Sequence, residues 1–200
     1  MEPNSTPPTV TQPVLSSPQQ PSQRAWIIAA RDKLIATGIN SVKIKWLAQA
    51  LNTEKENFYR HFKNREQLLR SLLLHWIASS TRAYEQIMDN TELDSIAKLN
   101  IINRLWLEEN CPDQYYEIAI REWARNSEIA TNAIKYSDRK RVKIFETLLL
   151  DLSYDRESAA VRARAAYCYQ ISHLVVAGFH QTAKNRRAHA PIFLDMLLGR

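Results

Sequence analysis

From Ser22 onward, apolar residues recur along the chain at helical spacing. Ile27, Ala30 and Leu34 fall at i, i+3 and i+7, and Gly38 stands where a left-handed residue would close the helix. A short second helix over about 43–51 would bury Ile44, Leu47, Ala48 and Leu51. Asn52 suits a left-handed turn, and Thr53 with Glu56 three residues on predicts a capping box opening a third helix. In that helix Phe58 and Phe62 share the inward side. Glu56, Asn57, Arg60 and His61 point away from it, and Lys55 and Tyr59 lie on the boundary.

Asn64 followed by Gln67 marks another start, of a long helix running to about Asp89, with Leu69, Leu73, Trp76, Ala83 or Tyr84, and Ile87 along its apolar stripe. Further amphipathic stretches cover roughly 93–110, 112–126, 128–152, 156–182 and 191–198, with Pro112 and Pro191 suited to first helical turns. Only three glycines occur, and long stretches are rich in Ala, Leu, Arg, Glu and Gln, so the expected fold class is all-α. Residues 1–21 are rich in Pro, Ser, Thr and Gln and nearly uncharged, which predicts a disordered tail.

Charge sharpens this picture. Between Ser22 and Arg65 there are nine basic side chains and three acidic ones, so this segment alone accounts for the net +6 of the chain. A local excess of this kind is the footprint of a surface that meets phosphates, and also occurs on ordinary solvated faces. Cys111 and Cys168 are isolated, as expected of reduced thiols in a cytoplasmic protein. The first residues lack the basic and apolar regions of a secretory signal, and no apolar run approaches a membrane span. There is no GxSxG, HExxH, P-loop or dinucleotide-binding glycine pattern, so no catalytic residue, metal site or cofactor is expected. His173 and His180 share a helix side without a carboxylate at ligand spacing.

Three short helices, the last two joined by a tight turn and the third basic, make a helix-turn-helix pattern over about 43–62. The stretch "SVKIKWLAQALNTEKENFYRHFKNREQLL" resembles the DNA-binding segment of tetracycline-repressor (TetR) family regulators. The resemblance rests on Leu47-Ala48, Phe58-Tyr59, His61-Phe62, Arg65 and Leu68-Leu69. It departs from the family in Asn52, where Gly is usual, and in Glu56, where many members have a small residue. The resemblance implies a DNA-binding domain over 22–68 and a regulatory and dimerisation domain over 69–200. It implies phosphate contacts from Lys43, Lys45, Lys55, Tyr59, His61 and Arg65, with Asn57 and Arg60 near base edges.

The same resemblance implies a homodimer built on the last two long helices, an inducer pocket, and a palindromic duplex operator bound as a repressor. On their own terms, Ala163, Ala166, Tyr167, Leu174, Ala177 and Gly178 fall on a stripe rich in small residues that admits a close helix, and Ile192, Phe193 and Met196 lie on a second apolar side. Trp76, Tyr84, Trp106, Tyr115, Tyr116 and Trp123 supply aromatics for a pocket taking a small apolar or aromatic inducer, or for ordinary core. The rival from another class is a helical ligand-binding or interaction protein whose helix-turn-helix does not bind DNA; Glu56, an acid among expected phosphate contacts, keeps it open.

Overall fold

Local capping sets the first helices. Ser22 accepts a hydrogen bond from the Ala25 amide and opens α1 (Gln23–Thr37), whose buried side is Trp26, Ala30 and Leu34. Trp26, not Ile27, leads that stripe; Ile27 packs at its margin. Gly38 ends the helix at φ 78°, a left-handed value that a side chain at this position would strain, and its amide donates to the Leu34 carbonyl. After a 3₁₀ turn at Ile39–Ser41 come α2 (Ile44–Ala50) and α3 (Lys55–His61). The computed structural model describes residues 20–105, 112–175 and 183–200, with the backbone alone at 112, 113, 175 and 183–187. Most of the expected tail, as well as Trp106, Ala177 and Gly178, lies outside the described residues.

The turn between α2 and α3 corrects the expected capping box. Asn52 takes φ 50° as anticipated, but the Thr53 amide closes back onto the Ala48 carbonyl at 3.0 Å. The chain therefore enters α3 one residue later, with Glu54 as the flanking residue and no side chain capping the helix. Phe58 and Phe62 fill the space beneath, Phe58 edge-on to Trp26 and stacked against Phe62, both at 5.2 Å between ring centres.

Asn64 caps α4 (Arg65–Asp89) through the Gln67 amide at 2.9 Å. There follow α5 (Ser95–Arg104), α6 (Pro112–Ala124), α7 (Glu128–Asp151), α8 (Arg156–Val175) and α9 (Ala183–Leu198), with no strand among the described residues. Pro191 lies inside α9 rather than in its first turn: the helix begins eight residues earlier and runs on through the proline, which can donate no hydrogen bond to the carbonyl four residues back.

Two hydrophobic clusters hold the chain together. The first joins α1, α2 and α3 to the first half of α4, to α6 through Tyr116, Ile120 and Trp123, and to the start of α7 at Ala130. The second joins the far half of α4, at Tyr84 and Ile87, to α5, the far half of α7, α8 and α9. Helices α4 and α7 thus run through both clusters and link the helix-turn-helix end to the α8–α9 end.

Candidate nucleic-acid interface

The helix-turn-helix buries one side and leaves the other to solvent. Lys43, Lys45, Lys55, Arg60 and Lys63 are exposed, and so is Tyr59, at 58 %. Lys43 immediately precedes α2, and Lys45 lies in its first turn. An exposed Trp46 follows, with the Lys33 ammonium 5.5 Å from the centre of its ring. Glu56 is exposed in the first turn of α3. Cations and one aromatic hydroxyl therefore face outward around a helix that rests on Trp26, Phe58 and Phe62.

Four expected contacts have partners within the chain, Arg60 through a single bond from Nη1 to Gln20 Oε1 at 2.5 Å. Asn57 is buried: its Oδ1 accepts from Trp26 Nε1 at 2.9 Å and its Nδ2 donates to Gln20 at 3.3 Å, so it is not free to read a base. Arg65 is half-buried and donates from Nε to the Val42 carbonyl (2.6 Å) and from Nη2 to the Ile39 carbonyl (2.9 Å), tying the start of α4 to the segment before α2. His61 lies with Nε2 3.0 Å from the Pro21 carbonyl. Gln20 and Pro21, assigned in sequence to the tail, are thus seated on α3, a long-range contact that no local pattern announces.

Among the described residues, the aromatics of the α4–α9 region divide between the two clusters. Trp76, Tyr116 and Trp123 belong to the first cluster and Tyr84 to the second. The Tyr116 hydroxyl donates to the Leu72 carbonyl at 2.7 Å, and Tyr84 donates to Gln170 at 3.2 Å. Tyr115 is exposed and, with Ile118 and Trp123, lines a groove of 420 Å³ whose other wall is Leu34, Ile35, Gly38 and Ile39.

Between the two clusters lies an ionic network that the sequence analysis did not anticipate. Glu117 binds Arg141 at 2.8 Å and Arg121 at 2.7 Å, Arg121 also binds Asp138 at 2.7 Å, and the Tyr167 hydroxyl accepts from both arginines. Arg141 is fully buried, about 6 Å from the ring centres of Trp76, Tyr84 and Tyr167. Burial alone would raise the Glu117 carboxyl, but Arg141 and Arg121 outweigh it and hold it below the usual carboxylate range. Burial pushes the Tyr167 hydroxyl well up. Half of this network was legible in "YYEIAIREWA", where Glu117 and Arg121 are four apart on one helix.

The expected intermolecular stripe on α8 is used inside the chain. Ala163 and Ala166 are fully buried in the second cluster, where α8 packs along α7, and Tyr167 is held by the ionic network. Close approach of another helix, which the alanines permit, is taken up by α7. Leu174 is half-buried, and Phe193 is buried and stacked on Tyr169 at 3.8 Å. Ile192 and Met196, by contrast, are 67 % and 66 % exposed on one side of α9, and Val161, Ala165 and Cys168 are exposed along one side of α8.

Among the described residues no group of His, Cys, Asp and Glu could hold a metal ion, and no helix is long and apolar enough to cross a membrane. Residues 27–72 match the family model of bacterial regulatory proteins, tetR family. No curated protein shows significant sequence similarity to the chain. Among solved structures, a transcriptional regulator from Rhodococcus sp. Rha1 aligns with 90 % of this chain and 97 % of its own at TM-score 0.71 and 12 % identity. GusR of Salmonella enterica aligns with 88 % of this chain and 93 % of its own at TM-score 0.71 and 15 % identity. A TetR transcriptional regulator from Legionella pneumophila aligns with 88 % and 96 % at TM-score 0.67 and 17 % identity. At these identities the likeness is one of fold.

Proposed function

We propose that the chain, which carries the tetR family's segment at residues 27–72, is a DNA-binding transcriptional regulator of that family and acts as a dimeric repressor released from a palindromic operator by a small ligand. The observation that carries the reading is the two-sidedness of α3: Phe58 is buried while Lys55, Tyr59 and Arg60 stay in solvent beside Lys43 and Lys45. A helix supported in this way can enter a major groove while the flanking lysines meet phosphates. With Asn57 turned inward, base reading falls to Arg60, whose guanidinium matches the two acceptors of a guanine edge.

Dimerisation is assigned to the outward sides of α8 and α9, at Val161, Ala165, Cys168, Ile192 and Met196. Exposed apolar residues on adjacent helices support it, and a two-fold copy of the same surface would cover them. A small apolar or aromatic ligand is expected to act on α6, whose Tyr115 and Trp123 line the groove against α1. Movement of α6 relative to α4 would then tilt the helix-turn-helix, because α4 begins immediately after α3 and packs along α6 and α7.

Selection of bound duplexes from a random DNA library tests this reading. A palindromic consensus whose half-sites share one duplex side is expected. Recovery of no sequence above background, together with no retention on heparin or random duplex DNA, would favour a helical binding protein with a silent helix-turn-helix.

A further inference from the structure

Gln20 and Pro21, just before α1, lie against α3. Gln20 Oε1 accepts from Arg60 Nη1 at 2.5 Å and from Asn57 Nδ2 at 3.3 Å, while the Pro21 carbonyl lies 3.0 Å from His61 Nε2. Both partners of Gln20 present donors, so the atom between them must be the amide oxygen. Its lone pairs are then engaged and the amide N–H₂ remains a donor. Asn57 is fixed from the other side by Trp26, so the oxygen of Gln20 sits between one immobile donor and one exposed, long side chain. Pro21 stiffens the link to α1, whose first turn is capped by Ser22. Gln20 is therefore held at a defined place beside Arg60 rather than passing it by chance.

An unrestrained arginine must surrender rotamer freedom to present its fork to a base. One hydrogen bond to Gln20 uses a single donor of five and leaves a bidentate pair available for a guanine. We propose that Gln20 is a positioning residue for DNA recognition, orienting Arg60 toward a guanine edge and offering its own amide N–H₂ to a neighbouring acceptor of the duplex. This inference rests on the reading of α3 as the recognition helix. With its oxygen occupied, Gln20 cannot make the two-point contact that glutamine makes with adenine, so it contributes through Arg60 and as a donor.

The test uses the full-length protein and a duplex carrying the sequence selected from a library, that duplex with each base pair exchanged in turn, and an unrelated duplex at the same salt. Arg60→Ala is expected to weaken the selected duplex roughly 5- to 150-fold and to erase preference at one guanine position. Gln20→Ala is expected to weaken the selected duplex roughly two- to tenfold, to flatten preference at that same position, and to leave the unrelated duplex unchanged. Added to Arg60→Ala, Gln20→Ala should cost at most the small donor contribution of its own amide. Gln20→Glu, which keeps the acceptor but loses the N–H₂, should retain preference at the guanine while losing overall affinity. Unchanged thermal melts would show that each variant folds.

The proposal is overturned if Gln20→Ala leaves the base preference intact, weakens both duplexes alike, or multiplies in full with Arg60→Ala. If Arg60→Ala and Tyr59→Ala also leave binding unchanged, the assignment of α3 falls with it. A loss for Arg60→Ala alone removes only Gln20.

Discussion

Arg60 on α3 and Arg141 on α7 are the same residue type set to opposite ends. Arg60 is exposed and has a neutral glutamine oxygen for company, so its charge is available to an external anion. Arg141 is sealed among three rings and neutralised by Glu117, and its charge is consumed within the chain. Burying an ion costs several kcal/mol unless a partner of excellent geometry answers it, whereas an exposed ion waits in water at no such cost. A basic cluster therefore points to a ligand only where the fold leaves it unanswered. Arg65 falls between the two, with its fork committed to two carbonyls.

The contrast predicts a ranked set of failures. Arg141→Ala should be the worst, destabilising by about 3–5 kcal/mol because the buried Glu117 loses its buried partner and keeps only Arg121, which it shares with Asp138; Arg141→Met combined with Glu117→Leu should recover most of that loss in urea unfolding. Ala163→Glu should also be strongly destabilising, because that position is fully buried in the second cluster where α8 packs along α7, whereas Met196→Glu should leave secondary structure intact and shift sedimentation toward monomer. Should Ala163→Glu instead yield a folded monomer, the inward assignment of that stripe is wrong.

Arg65→Ala should cost roughly 1.5–3 kcal/mol, the range for hydrogen bonds to a charged group, while Lys55→Ala should stay within about 0.5 kcal/mol. Differential scanning calorimetry on the pair separates a structural arginine from an interfacial lysine. The same ion pair has a signature in acid. Glu117 is held below its ordinary value of 4.5, so the stability it lends is fully present above that pH and is lost as pH falls through the lower folded value. Glu117→Gln should therefore flatten the dependence of stability on pH below about 4.5, starting from a lower plateau at neutral pH.

What could be read from the chain alone divides by range. Ser22, Asn64, Gly38 and Asn52 announce helix ends because caps and left-handed turns are local chemistry, and each does what its type suggests. Thr53 misleads because its amide is claimed by Ala48, a choice set by how α2 ends and not by the Thr–Glu spacing. Asn57 looks outward on a helical projection, yet Trp26, 31 residues away, turns it inward. The alanine spacing on α8 reveals that a helix comes close, but spacing cannot say whether that helix belongs to the same chain. Arg60 was legible as outward from its place on the helix, whereas Tyr59, expected on the boundary between core and solvent, stands 58 % exposed.

The central claim is that the outward side of α2 and α3 meets phosphates, and the salt dependence of DNA affinity tests it most directly. Log affinity plotted against log salt should fall linearly, with a slope near −0.9 for each phosphate neutralised, and Lys43→Ala, Lys45→Ala and Lys55→Ala should each make it shallower by about one. An affinity that does not change with salt, or a slope that all three substitutions leave untouched, would contradict the account.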